Sequence, residues 1–197
     1  MSKYQEIKRG HSTYTRRGFG LTFGAASFAL TTTAGTLMAS NSLQSSELSL
    51  EESLQIALRA IGSDVANAAA DHLAKSAVSS AALNLHLRNA QMTAADVKLI
   101  ANALDGTSVS ELARLVSFSL SYNAIGDEGA KNLANSLPAT LTELGLVGCS
   151  IGDRGGKAIL DWAKHANGLH MICIEDNNMS DEMRKQFSSL IGMSVFV

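Results

Sequence analysis

Few residues of this 197-residue chain could do acid–base, nucleophilic or metal chemistry. The histidines show no metal-ligand spacing, and the pair His170 and Cys173 has no second pair to complete a zinc site. Residues 176–182 look like the start of a calcium loop, but the positions that need a glycine and a carboxylate hold Asp181 and Phe187. We therefore expect no bound metal and no cofactor. The histidines are His11, His72, His86, His165 and His170.

A catalytic site would need a nucleophile beside a base, or two carboxylates held in a cleft. No segment supplies such a set, so we predict that the chain is not an enzyme. One alternative stays open, in which Cys173 is the reactive thiol of an enzyme or regulator. No Lys or Arg stands beside Cys173 to lower the pKa of its thiol, so we favour an inert surface thiol. For Cys149 we expect a buried structural thiol.

One pattern recurs four times between residues 82 and 177. An apolar residue is followed at offsets of three and five by two more, and at offset eight by a small residue or an amide, which matches the leucine-rich repeat signature. The phrase from Leu120 to Leu137, with Asn123, Ile125 and Gly129 inside it, resembles a unit of the ribonuclease-inhibitor-like subfamily of these repeats. The four instances are Ala82/Leu85/Leu87/Ala90, Leu115/Phe118/Leu120/Asn123, Leu141/Leu144/Leu146/Cys149 and Leu169/Ile172/Ile174/Asn177.

The signature predicts a strand and a helix in each repeat. The resemblance implies an α/β solenoid with a parallel sheet on its concave side and helices on its convex side. Residues 82–197 would hold about four repeats and a partial fifth strand near 190–195. The first copy departs from the pattern, because Ala90 replaces the ladder amide and an extra loop follows Leu104. We expect that repeat to be less regular.

Short start signals predict where the helices begin. Thr93 and Asp96 fit a capping box, and Ser180 fits an N-cap. Glycine or alanine in the first turn of a repeat helix is expected to let that helix lie close to the sheet. Before the repeats, residues 48–78 carry apolar residues at helical spacing, so we predict that 47–81 is a helical cap covering the N-terminal end of the core.

Alternation along each strand predicts two faces of the sheet. Inward-facing residues at offset eight would form a ladder that bonds to the backbone of neighbouring turns, and they are Ala90, Asn123, Cys149 and Asn177. The outward face runs from basic to acidic across small residues, and repeat arrays bind partners on such faces. It comprises Asn84, His86, Arg88, Ser117, Ser119, Ser121, Glu143, Gly145, Val147, Met171, Cys173 and Glu175. We predict a protein-binding module, with a merely solvated face as the alternative.

The first 46 residues differ in composition from the rest. Residues 15–21, with the pair Arg16 and Arg17, match the twin-arginine export motif, and residues 18–46 contain no charge. We favour a bacterial export signal cleaved near Ala39, which would place the mature protein in the periplasm or outside the cell. An organelle transit peptide and a disordered tail of a cytoplasmic protein are the alternatives. The apolar stretch is diluted by Gly, Ser and Thr, so we expect no stable membrane span after processing.

Charge and the last strand bear on the choice of partner. The net charge is −2 and no large basic patch is visible, so a nucleic-acid partner is not expected. The predicted fifth strand is apolar, and an apolar sheet edge can pair with another copy. A homodimer formed through this C-terminal edge, with the chain acting as an assembly subunit, is therefore a further alternative.

Overall fold

A computed structural model describes residues 48–76 and 81–197. The predicted export signal, with Arg16 and Arg17, lies outside the described residues. In chain order the elements are α1 (Leu50–Ile61), α2 (Asp64–Ser76), β1 (Leu83–His86), α3 (Ala94–Asp105), α4 (Val109–Leu112), β2 (Leu115–Ser119), α5 (Gly126–Ser136), β3 (Glu143–Gly145), α6 (Asp153–Ala163), β4 (Met171–Cys173), α7 (Asp181–Ser188) and β5 (Ser194–Phe196).

The strands form one parallel sheet whose spatial order is the order of the chain, β1 to β5. A row of apolar side chains crosses this sheet on its inner face, because each is paired in register with the next: Leu85, Phe118, Leu144, Ile172 and Val195. The first four of these side chains are at most 3 % exposed. Helices connect consecutive strands and pack on this face, so the row is buried between the sheet and the helices. The predicted α/β solenoid is confirmed.

The first repeat begins one residue later than the sequence pattern predicted. Ala82 is exposed, whereas Leu83 is buried and pairs with Leu115. The pairing then slips, because Asn84 lies opposite Ser117 and leaves Val116 as an extra residue on β2. Such a bulge on β2 brings Phe118 to the inner face opposite Leu85. The assignment of Ala82 to the first position was therefore wrong, and the predicted irregularity of this repeat is confirmed.

The N-terminal cap contains two helices, not the single helical stretch predicted for 48–78. Helix α1 starts at a capping box formed by Ser49 and Glu52 and ends at Gly62, whose φ of 73° lies in the left-handed region that glycine tolerates. After this break the helical phase changes, so Val65 is 38 % exposed and Ala66 is buried in its place. Helix α1 packs against both α2 and α3, and thereby extends the helical layer beyond the first repeat.

Glycines in the repeat helices allow neighbouring helices to approach, which differs from the predicted approach to the sheet. A Cβ at Gly155 of α6 would lie 2.8 Å from the Cα of Asp127 in α5. A Cβ at Gly156 would lie 2.8 Å from the sulfur of Met179, in the turn that precedes α7. The capping box of Thr93 at α3 and the Ser180 cap at α7 are both confirmed. The extra loop after Leu104 contains the short helix α4.

Candidate binding surface

The outward side chains of the middle strands surround one shallow depression of about 230 Å³ on the sheet. Every residue of the sequence-derived surface contributes to its lining except Asn84 and Glu175. The sequence-derived members are His86, Arg88, Ser117, Ser119, Ser121, Glu143, Gly145, Val147, Met171 and Cys173. Strand pairing explains this gathering, because Ser117 lies beside Glu143, which in turn lies beside Met171.

Short side chains form the floor of the depression. The Ser119 hydroxyl lies over Gly145, where a Cβ would come within 2.6 Å of Ser119 Oγ. Ser121 Oγ accepts a hydrogen bond from the Val147 amide at 3.2 Å and lies 3.2 Å from Ser119 Oγ. Ser117 and Ser121 are buried although they are on the outward face. The floor is thus polar, satisfied and low enough for a partner to approach closely.

The basic side of the depression is held in place by two contacts. His86 Nε2 lies 2.9 Å from Ser117 Oγ, which fixes the imidazole against the next strand. The Arg88 guanidinium stacks on the ring of Tyr122, with its carbon 4.3 Å from the ring centroid. Tyr122 was not among the predicted surface residues. Its φ of 62° and the absence of a side chain at Gly148, where a Cβ would lie 3.0 Å from the ring, make room for this stack.

The acidic side contains Cys173 and Glu143, and Glu175 lies outside the lining of the depression. Burial raises the pKa of the Cys173 thiol, and the negative charges of Glu175 and Glu143 raise it further. A thiol that acts as a nucleophile needs the opposite shift, so this environment gives no support to a reactive Cys173. One carboxylate oxygen of Glu175 is shielded from solvent and has no hydrogen-bond partner within the described part of the chain.

Asn84 lies apart from the other predicted surface residues. It lines a separate depression of about 190 Å³ between α2 and β1, together with Ala69, His72, Leu73 and Leu85. His86 borders both depressions. The cap helix α2 therefore flanks the N-terminal edge of the sheet at Asn84, a neighbour that strand alternation alone does not reveal.

The inward ladder asparagines make matching sets of hydrogen bonds. Asn123 Oδ1 accepts from the amides of Ala90 at 2.8 Å and Met92 at 3.0 Å, while its Nδ2 donates to the carbonyls of Leu87 and Leu120 at 2.7 Å. Asn177, two repeats further along the chain, makes the same pattern of bonds. Its bonds join the amides of Cys149 and Ile151 and the carbonyls of Leu146 and Ile174.

The other two ladder positions carry less hydrogen bonding. Cys149 is fully buried, and its thiol lies 3.3 Å from the carbonyl oxygen of Leu120, to which it donates. Burial raises the pKa of this thiol, so it remains protonated and can serve as a donor. Ala90 is buried and has no polar side chain to contribute. The two cysteines are free, with Cys149 in the core and Cys173 on the sheet surface.

Residues 48–76 and 81–197 offer neither a metal site nor a membrane-spanning helix. Among these residues no three His, Cys, Asp or Glu side chains are grouped so that they could hold a metal ion. Within the same ranges, no helix has both the length and the apolar character needed to cross a membrane. The residues of the calcium-like segment have structural partners: Asn177 belongs to the ladder, and Ser180 caps α7.

Comparison with known proteins agrees with this architecture. The family model described as Leucine Rich repeat matches residues 115–134 and 138–160, which contain β2, α5, β3 and part of α6. The described residues have the fold of a short leucine-rich repeat solenoid. No curated protein sequence matches the chain.

Two solved structures are similar to this solenoid. The tropomodulin C-terminal domain from Caenorhabditis elegans aligns with a TM-score of 0.51 and 12 % identity, over 75 % of this chain and 81 % of that one. The structure titled leiomodin-1 actin-binding site 2 aligns with a TM-score of 0.48 and 17 % identity, over 57 % of this chain and 68 % of that one. At such low identity the likeness to the tropomodulin domain concerns the fold alone.

Proposed function

We propose that this chain is a protein-binding module that captures its partner on the outward face of the sheet. The observation that carries the proposal is the single depression that collects the charged and small side chains of β1 to β4. Its floor of serines and Gly145 allows close approach, and its charged sides can select a partner by complementarity. A stable interface covers about 800 Å² of each partner, so contacts would extend beyond the depression to Asn89 and Tyr122, which lie beside Arg88.

Two finer assignments are part of this proposal. The helices α5 and α6 have 11 residues each and follow nearly the same phrase, which supports the ribonuclease-inhibitor-like subfamily. The paired Arg16 and Arg17 before an uncharged stretch support export through the twin-arginine route to the periplasm or beyond the cell. An exported binding module would meet its partner in the cell envelope or outside the cell.

The competing functions are weaker on structural grounds. Catalysis through Cys173 would require a lowered thiol pKa, whereas burial and two nearby carboxylates raise it. Assembly through β5 stays a second candidate, because β5 is an edge strand of the described sheet and Phe196 on it is 48 % exposed. In that case mass measured by light scattering would double at tens of micromolar and return to a monomer on Val195→Lys.

Quantitative capture from envelope extracts of the native host tests the binding face. Arg88→Glu and Glu143→Lys reverse charges on the sheet, and Lys131→Glu on the convex helix α5 is the matched control, since Lys131 is exposed. We expect the two sheet variants to reduce capture of the same proteins about tenfold, with unchanged melting temperatures. Equal capture by all variants, or loss with the Lys131 variant alone, would contradict the proposed face.

A further inference from the structure

One row of outward side chains crosses the whole sheet in register. Each member is paired with the next across β1 to β5, and the row consists of His86, Ser119, Gly145, Cys173 and Phe196. The middle of the row is low, since Gly145 has no side chain and a Cβ there would lie 2.6 Å from Ser119 Oγ. A partner segment that follows this row therefore lies across the strands, over the floor of the depression.

The end of the row at β1 and β2 is flanked by a cation without a counter-charge. Within the described residues Arg88 takes part in no ion pair, and no outward residue of β1 or β2 is acidic. The Tyr122 ring, whose centroid lies 4.3 Å from the guanidinium carbon, orders the guanidinium before any partner arrives. An ordered guanidinium can bond to a carboxylate through two N–H groups. Every other arginine of the described residues pairs with a carboxylate: Arg59, Arg114, Arg154 and Arg184.

The end of the row at β4 and β5 is apolar. Phe196 is paired with Cys173 and so faces outward with it, and Phe196 is 48 % exposed. It lies one strand beyond the lining of the depression, next to the strand on which Met171 and Cys173 are half-buried. Of the large apolar side chains that are exposed in the described residues, Phe196 is the one that lies on a strand. This end of the face can therefore bury an apolar side chain of a partner.

We propose that the partner contributes an extended segment that crosses the strands, with an aspartate or glutamate on Arg88 and a large apolar side chain against Phe196 and Met171. This inference rests on the proposed function and names the chemistry of the partner. Strands lie about 4.8 Å apart, and the guanidinium lies over Tyr122, which follows β2, so three to four strand spacings, or about 14 to 19 Å, separate the two ends. An extended chain advances about 3.3 Å per residue, so four to six positions separate the two side chains on the segment.

The probe is a random phage-displayed peptide library panned against the full chain. Peptides of about twelve residues reach about 40 Å when extended, which is enough to cross the sheet. The panning is repeated on Arg88→Gln and on Phe196→Ser, with Lys131→Gln as a convex-side control that removes one exposed cation. We expect wild type and control to enrich peptides with an acidic residue and a large apolar residue four to six positions apart. Arg88→Gln should lose only the acidic preference, and Phe196→Ser only the apolar preference.

One enriched peptide is then synthesised with its acidic residue or with the corresponding amide, which has the same shape but no charge. On wild type the amide form should bind about tenfold more weakly, and on Arg88→Gln the two forms should bind within about twofold of each other. Replacing the apolar residue of the peptide by alanine tests the other end in the same way. That change should weaken binding to wild type about tenfold and binding to Phe196→Ser less than about twofold.

Three outcomes would contradict this inference. Peptides that depend on Phe196 but not on Arg88 would indicate recognition at the β5 edge and would overturn it. Peptides that lack the two features but lose affinity on Glu143→Lys would also overturn it, and would leave the proposed function intact. Peptides insensitive to every sheet variant, or a library without binders, would count against both.

Discussion

Arg114 and Glu51 join the N-terminal cap to the first repeat although 63 positions separate them in the chain. The Arg114 Nη1 donates to Glu51 Oε2 at 3.0 Å, and Nη2 donates to the second carboxylate oxygen. Nη1 also donates to Glu111 at 2.7 Å, so one guanidinium links α1, α4 and the start of β2. The Glu51 side chain is only 3 % exposed, which makes this a buried pair and distinguishes it from the exposed pairs of the convex side.

Glu51→Ala is therefore expected to destabilise the fold by about 2 to 4 kcal/mol, because it leaves Arg114 partly buried with one carboxylate in place of two. The control is Asp71→Ala, which breaks the exposed pair with Arg59 and should change the free energy of unfolding by less than about 0.5 kcal/mol. Urea unfolding followed by circular dichroism measures both values. Similar losses in the two variants would show that the pair does not fasten the cap to the repeats.

The repeating core was predictable because its signal is periodic and local. Leu120, Leu146 and Ile174 hold the same position in successive turns, and each is fully buried. The phase of the first repeat was not predictable in this way, since Ala82 fits the offsets of three and five to Leu85 and Leu87, whereas Leu83 does not. Only the strand pairing of Leu83 with Leu115 decides between them. The break at Gly62 was missed because apolar spacing continues across it.

The sequence pattern does not predict the contacts between neighbouring repeats. Asp127 lies in the first turn of α5, yet its Oδ1 accepts from the amides of Gly152 at 2.7 Å and Gly155 at 3.0 Å in the next repeat. Asp153 likewise accepts from the Ser180 amide at 2.7 Å. Tyr122 was missed for a similar reason, because its stack with Arg88 depends on a left-handed backbone conformation that the strand pattern does not encode.

Asn123→Ala tests the ladder. The substitution would leave the buried amides of Ala90 and Met92 without their acceptor and the Leu87 carbonyl without its donor. We expect a loss of about 3 kcal/mol in the free energy of unfolding. Ser119→Ala, on the sheet surface, should cost within about 0.5 kcal/mol because Ser119 is only half-buried and Ser121 Oγ keeps its bond from the Val147 amide. Denaturant melts that show equal losses would contradict the assigned facing of the two side chains.

Export is tested by Arg16→Lys/Arg17→Lys in the full-length gene expressed in the native host. The translocase is expected to depend on the paired arginines, so the variant should accumulate as full-length precursor in the cytoplasm. Wild type should appear in the envelope or medium as a shorter form that begins after Ala39. Lys3→Arg, which keeps the charge upstream of the pair, serves as control. Unchanged fractionation of the double variant, or a mature protein that still begins at Met1, would refute twin-arginine export.

The last prediction concerns the pH at which Cys173 reacts. Burial, with the charges of Glu175 and Glu143 adding to it, raises the pKa of the thiol, so the thiolate forms only at higher pH than in an unperturbed cysteine. The rate of alkylation by iodoacetamide, measured for the Cys173 peptide by mass spectrometry, should therefore rise with a midpoint above that of an unperturbed cysteine thiol. Peptide-level detection separates this signal from that of Cys149, which is buried.

Glu143→Gln should shift that midpoint to lower pH, because it removes one negative charge that disfavours the thiolate. Asp161→Asn removes a carboxylate from α6 and should leave the midpoint unchanged, since Asp161 is not among the groups that act on Cys173. A wild-type midpoint near or below 7 would indicate an activated thiolate. That result would return Cys173 to consideration as a nucleophile, because it would mean that a cation or hydrogen-bond donor outweighs both carboxylates at the sheet surface.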